Sequence, residues 1–260
     1  MCPRTILAST SCFLLLSFVL SACAPRIGEK QSGYIAAEDG SKIYFEKLGA
    51  GKQAVVLLPG RCTSLGIWDS IVPFLTDNYS VLRFDPPGYG KSEKGSMEVT
   101  PQSMGHLLFQ VMDACGIRRA VLVGHASADY TLLAARATDS ARIAGIISVN
   151  GFSDLLSASN DSIAVSEQNG GNTINCPNDS TMSKKHFNYR NEAIDILHTM
   201  HMPIQLIRSF PTRPLDARID SLFPSGLLLY PLACRDPMPL IHCPFRLQRE
   251  LRIALASIPL

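Results

Sequence analysis

The stretch Gly124-His125-Ala126-Ser127-Ala128 decides the fold of this chain. Residues 119–123, directly before it, form a short apolar and β-branched run that predicts a buried strand, and residues 131–137 predict a helix. A strand, a tight turn and a helix in succession are the setting in which the pattern G-x-S-x-G presents a nucleophile at its central position. Here the central residue is Ala126, whose methyl group cannot attack a substrate.

Further apolar runs of strand length lie on both sides of this stretch, at residues 54–58, 80–85 and 143–150. They alternate with amphipathic segments of helix length, which predicts βαβ units and a parallel sheet covered on both faces. A dinucleotide-binding fold is the alternative, but no G-x-G-x-x-G opens a helix and no phosphate loop with its Lys occurs. We therefore predict an α/β fold with a doubly wound, mostly parallel sheet and helices on both faces.

Over roughly residues 33–154 the chain resembles the α/β-hydrolase superfamily. Residues 54–61, which end in Pro59-Gly60-Arg61, resemble the first central strand and oxyanion loop of that superfamily. Residues 85–92 resemble its D-x-P-G-x-G-x-S turn, in which Gly88 and Gly90 suit positions that need a positive φ. The resemblance implies an α/β-hydrolase-like domain over residues 33–260, with a short polar lid region at 155–190 in which residues 157–183 are expected to form a loop.

The resemblance also implies where a catalytic triad would stand, and all three positions carry unsuitable residues. Ala126 takes the position of the nucleophile at the elbow. Thr212 takes the position of the acid and cannot hold a buried negative charge, while Arg235 takes the position of the base and is permanently protonated. Triad catalysis needs all three roles. We therefore expect a non-catalytic pseudo-hydrolase that lacks hydrolase activity.

The backbone of the same site is expected to keep its ability to bind an anion. The oxyanion hole of the superfamily is built from backbone N–H groups, here those of Ser127 and of Gly60 or Arg61, and it needs no particular side chain. His125 is expected to line this pocket. A small anionic or ester-like ligand is the predicted partner, because Arg235 favours negative charge; no cofactor is implied.

Two other functions stay open at this level. An active serine hydrolase of the esterase or amidase type would need a displaced triad, for which Ser127, His242 and Asp154 are the candidates. The plainer interpretation is structural. In it the Ser127 hydroxyl caps a backbone group, His242 lies on a surface loop, and Asp154 caps the start of a helix. The third alternative is a degraded relative without a selected function, since the resemblance weakens toward the C-terminus.

The N-terminus has the layout of a secretory signal: Arg4, an apolar run over residues 12–20, and then Leu20-Ser21-Ala22-Cys23. A Cys after Leu-Ser-Ala resembles the lipobox of bacterial lipoproteins. The resemblance implies a signal peptide at residues 1–22, lipidation of Cys23, a tether at 23–32 and attachment to a membrane of the bacterial cell envelope. The alternatives are a chance Cys and a transmembrane anchor, although the run is shorter than the ~20 residues that a span needs.

The composition of the chain bears on three further features: nucleic-acid binding, metal binding and disulfide bonds. A net charge of +2 provides no basic patch that would support nucleic-acid binding. The histidines lack metal-ligand spacing, so no metal site is predicted. Five cysteines follow Cys23, and this odd number leaves at least one thiol unpaired, with Cys234 and Cys243 as a candidate disulfide pair.

Overall fold

A computed structural model describes residues 30–152, 180–209, 222–234, 236 and 238–259 of the chain. The predicted signal peptide and Cys23 lie outside the described residues. So do three of the candidate site residues, Asp154, Thr212 and Arg235. Among the helices that are described, none combines the length and the apolar character needed to cross a bilayer.

One eight-stranded sheet forms the centre of the molecule, in the order β1-β2-β4-β3-β5-β6-β7-β8. Strands β1 and β2 pair antiparallel with each other, and β2 pairs antiparallel with β4, whereas every later pairing is parallel. The strands are β1 (Gln31–Ala36), β2 (Lys42–Leu48), β3 (Gln53–Leu58), β4 (Tyr79–Phe84), β5 (Ala120–His125), β6 (Ile143–Val149), β7 (Ile204–Ser209) and β8 (Leu227–Leu232). The predicted fold class, a mostly parallel α/β sheet, is confirmed.

Helices cover both faces of the sheet, as predicted. Six are described: α1 (Val72–Thr76), α2 (Pro101–Ala114), α3 (Asp129–Thr138), α4 (Ser180–Thr199), α5 (Pro239–His242) and α6 (Pro244–Ala256). The apolar sides of α2, α3 and α4 pack on one face of the sheet. Those of α1, α5 and α6 pack on the other. The sheet is therefore sandwiched between two helical layers, which suits parallel strands because both of their faces need apolar cover.

Strand β5 lies at the centre of the sheet and leads directly to the candidate site. All six of its residues are buried, in agreement with its run of apolar residues. Strand β1, at the sheet edge, alternates instead between exposed and half-buried residues. Burial of a β-branched strand on both faces gives the turn that follows β5 a rigid support.

Helix α2 begins and ends where its sequence provides start and stop signals. The Thr100 hydroxyl accepts a hydrogen bond from the backbone N–H of Ser103, the Ser103 hydroxyl accepts one from the Thr100 N–H, and Pro101 occupies the first turn. Beyond the helix, Gly116 adopts a φ of 68°, the left-handed conformation typical of a helix C-terminus. The helix presents buried apolar residues to the face that also receives α3.

A buried ion pair joins β2, β4 and the segment that follows β3. The Arg83 guanidinium lies 2.7 Å from the Glu46 carboxylate, and both side chains are less than one-tenth exposed, at 8% and 6%. Arg83 also donates to the Leu65 carbonyl at 3.1 Å and to Asp69 at 2.6 Å. Burial alone would raise the pKa of Glu46, but hydrogen bonds from Arg83, Lys30 and Tyr44 lower it to about 2.

The cysteine predictions are confirmed where the structure describes them. Cys234 and Cys243 form a disulfide. Cys115 is a free, buried thiol, and burial raises its pKa. Cys62 is disulfide-bonded as well, with a partner outside the described residues.

One local prediction needs correction. Helix α4 begins at Ser180, inside the stretch 157–183 that we expected to form a loop, and it occupies part of the predicted lid region at 155–190. The buried residues that anchor this helix, Ala193 and Leu197, lie in its second half. Extending an established helix costs much less than starting one, so a polar segment without apolar periodicity can continue it.

Candidate functional site

The stretch around Ala126 has the predicted strand, turn and helix geometry. Strand β5 ends at His125, a 3-10 turn covers Ala126–Ala128, and α3 starts at Asp129. Ala126 has a φ of 50°, in the left-handed region that residues other than glycine rarely adopt. Holding it there costs about 1–3 kcal/mol, which the surrounding fold must supply. The tight turn that the sequence predicts at Ala126 is confirmed.

Two glycines allow the elements around this turn to approach one another. A Cβ on Gly124 would lie 2.8 Å from Leu132 of α3, too close for any real side chain. A Cβ on Gly60 would lie 2.8 Å from the His125 carbonyl oxygen and 3.5 Å from the Ala126 Cβ. The loop after β3 therefore lies directly against the turn after β5, and Gly60, His125 and Ala126 meet as the sequence predicts. His125 itself is buried, at 3% exposure.

The predicted oxyanion donor has a partner of its own. The Arg61 backbone N–H donates a hydrogen bond to the Ser127 Oγ at 2.8 Å. The expectation that this N–H is open to an external anion is therefore corrected: the Ser127 hydroxyl already takes it. A hydroxyl that accepts one hydrogen bond still has its own hydrogen to donate. Ser127 thus couples the turn to the loop and keeps a proton that a base could remove.

The turn at residues 85–92 holds the loop after β3 in place. One Asp85 carboxylate oxygen accepts from the Leu65 backbone N–H at 2.8 Å, and the other accepts from the Lys91 N–H at 2.8 Å. Gly88 and Gly90 have φ values of 81° and 54°, so their predicted positive φ is confirmed. A Cβ on Gly90 would lie 2.2 Å from the Asp85 carboxylate, which explains why only glycine fits there.

A second group of polar residues follows the last strand. His242 Nδ1 lies 2.5 Å from the Asp236 Oδ2, with the two side chains 48% and 34% exposed. The disulfide between Cys234 and Cys243 closes a loop that contains both residues. The sequence indicated Asp154 as the partner of His242, whereas the carboxylate that contacts His242 among the described residues is that of Asp236, which no motif indicated. The adjacent cysteine pair was the signal that could have pointed to it.

This C-terminal loop returns from the sheet edge toward the centre. Helix α5 packs against the 3-10 turn Leu65–Trp68, which follows β3, the neighbour of β5. The Ser70 hydroxyl donates to the Leu240 carbonyl at 2.6 Å, and the Gln248 side chain donates to the Ser70 carbonyl at 3.0 Å. The segment that carries His242 is therefore fastened to the same region of the chain as the loop containing Gly60 and Arg61.

Comparison with known proteins agrees with this geometry. The family model described as the alpha/beta hydrolase fold matches residues 53–170. The solved structure of Cfl2 from Burkholderia cenocepacia superimposes with a TM-score of 0.70 over 89% of this chain and 97% of that one, at 13% identity. The chain has the α/β-hydrolase fold. The resemblance to the superfamily stated from the sequence is thereby confirmed.

Curated relatives match over shorter stretches. An uncharacterized hydrolase, YugF, of Bacillus subtilis is 30% identical over 99 residues, which is 37% of this chain and 36% of the relative. A pimeloyl-[acyl-carrier protein] methyl ester esterase of Proteus mirabilis is 35% identical over 69 residues, or 26% of each chain. The chain thus spans well under half the length of these two relatives.

Hydrogen bonds join the C-terminal ends of β6 and β7, the two strands that follow the elbow in the α/β-hydrolase fold. Asn150 donates to the Ser209 hydroxyl at 3.0 Å and accepts from the Ser209 backbone N–H at 2.8 Å. The buried Asp129 carboxylate accepts a hydrogen bond from the backbone N–H of Phe152.

Within the ranges that the structure describes, no group of three or more His, Cys, Asp or Glu residues is arranged to hold a metal ion.

Proposed function

We propose that this chain is a hydrolase of ester or amide substrates in which Ser127, one residue beyond the elbow apex, supplies the nucleophilic hydroxyl. His242 is the proposed base, and Asp236 orients it. The observation that carries the proposal is the Asp236–His242 pair. The pseudo-hydrolase expectation rests on Ala126, Thr212 and Arg235 at the three triad positions. Ser127 would supply the nucleophile in place of Ala126, and the Asp236–His242 pair offers the acid and the base at another place in the C-terminal segment.

The proposed reaction follows the acyl-transfer scheme of serine hydrolases. His242 Nε2 takes the Ser127 proton as Oγ forms a bond to the carbonyl carbon, and the Asp236 carboxylate stabilises the resulting imidazolium through Nδ1–H. The tetrahedral intermediate expels its alcohol or amine, which takes the proton from Nε2. Water activated by the same imidazole then hydrolyses the ester on Ser127. The Arg61 N–H, which Oγ releases as it becomes acylated, is available to the substrate oxygen.

The relatives support the class of reaction. Of the two relatives described above, one is named a hydrolase and the other a methyl ester esterase. Their matches cover only part of the fold of this chain, so they support the ester and amide class as a whole.

A second candidate function is ligand binding without turnover, and Ala126 favours it. The apex of the elbow is the position that directs a side chain toward the substrate. A methyl group there leaves a site that could bind a small anionic or ester-like ligand without forming a covalent bond to it. This is the pseudo-hydrolase predicted from the sequence.

Labelling with a fluorophosphonate probe tests the proposal, because such probes react only with an activated nucleophile. We expect the wild-type chain to be labelled and Ser127→Ala to lose labelling by at least ~100-fold, since the loss of a nucleophile costs far more in triad enzymes. Ser140→Ala is the matched control, because Ser140 is exposed and distant in sequence from the elbow.

Two outcomes would contradict the hydrolase proposal: an unlabelled wild-type chain, or labelling that persists in Ser127→Ala. If the wild type is unlabelled, thermal stabilisation by small carboxylates would support the ligand-binding function. Failure of every carboxylate to stabilise the chain would leave the degraded relative as the better account.

We further propose that the protein is attached through Cys23 to a membrane of the bacterial cell envelope. The Cys234–Cys243 disulfide and the bonded state of Cys62 support an oxidising compartment. Incorporation of labelled palmitate that is lost in Cys23→Ala would agree with this proposal. A mature N-terminus at any other residue would contradict it.

A further inference from the structure

The outer side of α6 exposes apolar and basic residues together. Phe245 is 82% exposed and Ile253 is 45% exposed, and Ile241, just before the helix, is 56% exposed. The opposite side of α6 is buried against the sheet through Leu247, Leu251, Ala254 and Leu255. The exposed positions recur at helical spacing, so they form one surface. We call it the α6 outer face, defined by Phe245, Arg246, Arg249, Arg252 and Ile253.

The charge of this surface is positive. The Arg249 side chain is 80% exposed, and its ion pair with the neighbouring Glu250 is long, at 4.0 Å. Arg252 lies over the ring of Phe74 at 4.8 Å, and Arg246 donates to the Ala233 carbonyl. Three guanidinium groups therefore belong to the same helix surface as the exposed Phe245 and Ile253.

We infer that the α6 outer face binds the surface of an anionic phospholipid bilayer. Phe245 and Ile253 project from the helix, which suits insertion among lipid chains at the interface, and arginines beside them can reach the phosphate groups. Each basic residue near an anionic membrane surface adds to the attraction. The positive charge of this surface thus favours an anionic bilayer as its partner. The inference does not depend on the proposed role of Ser127.

Co-sedimentation with vesicles tests the inference on the full chain. Wild type and the double variant Phe245→Ser/Arg249→Glu are compared on vesicles of phosphatidylcholine alone and of phosphatidylcholine with phosphatidylglycerol. The matched control is Val99→Ser/Arg118→Glu, which changes an exposed apolar and an exposed basic residue elsewhere. Any contribution of the N-terminal segment is common to all three proteins, so their differences report the helix surface.

We expect wild type and control to prefer the anionic vesicles, and the α6 variant to lose at least ~10-fold in partition coefficient there, because it loses one aromatic and reverses one charge. If the double variant does not fold, Arg249→Glu alone serves, with a smaller loss. Equal binding by variant and wild type, or no preference of wild type for anionic lipid, would overturn the inference. Wild-type binding to polyglutamate that is as tight as to anionic vesicles would assign the surface to an acidic polypeptide instead.

Discussion

Replacement of His242 by Gln is expected to lower ester hydrolysis by about 10⁴- to 10⁶-fold, the range seen when a triad member is removed. Gln keeps a polar group in the loop but cannot accept the Ser127 proton. Asp236→Asn should cost about 10⁴-fold, because an amide cannot hold the imidazole in the required tautomer or stabilise its charged form. Both losses should fall on kcat rather than on KM, measured from the rates over a range of p-nitrophenyl ester concentrations that extends to saturation.

His106→Gln is the matched control for this experiment, since His106 is an exposed histidine on α2. It should hydrolyse the ester like wild type. If His242→Gln retains wild-type kcat, the imidazole is not the base, and the proposed role of the Asp236–His242 pair is wrong. Retained stability of each variant, checked by thermal unfolding, separates lost chemistry from lost fold.

Replacement of Arg83 by Leu is expected to reduce the free energy of unfolding by about 3–5 kcal/mol, the usual cost of removing one partner of a buried ion pair. The loss arises because Glu46, itself nearly buried, keeps its charge without the guanidinium that stabilises it. The exposed Arg249, 4.0 Å from Glu250, provides a control. Arg249→Leu should cost less than about 1 kcal/mol, as exposed pairs do. Chemical denaturation measures both variants.

Acid pH and a double variant give this prediction its sharpest test. The lowered pKa of Glu46, about 2 against an ordinary 4.5, adds stability above pH 4.5 that is lost as the pH falls toward 2. The difference between wild type and Arg83→Leu should therefore shrink across that interval. Glu46→Leu/Arg83→Leu should recover part of the lost stability, because it leaves no unpaired buried charge. A double variant less stable than Arg83→Leu would contradict this account.

The sequence by itself determined the architecture near the elbow. Short β-branched runs such as residues 119–123 specify buried strands, and their alternation with amphipathic segments specifies a parallel sheet between helices. The glycines at 60, 88, 90 and 124 mark places where a Cβ would collide or a positive φ is needed. The positive φ values of Gly88 and Gly90 are local in the chain, and local conformation is what a sequence pattern encodes. The antiparallel strands β1 and β2, which are joined by a turn in which Gly40 has a φ of 81°, were not predicted.

Only the tertiary structure decided how the polar groups pair. Ser127 meets the Arg61 N–H across 66 residues of chain, a contact that depends on two loops converging at the same end of the sheet. His242 pairs with Asp236 because a short helix and a disulfide fold the C-terminal loop back on itself. The resemblance to the α/β-hydrolase pattern indicates partners by their position along the chain, and a shift of a few residues in that comparison changes the partner. Contacts between side chains on different loops follow from three-dimensional packing. The periodicity of apolar residues along the chain does not specify them.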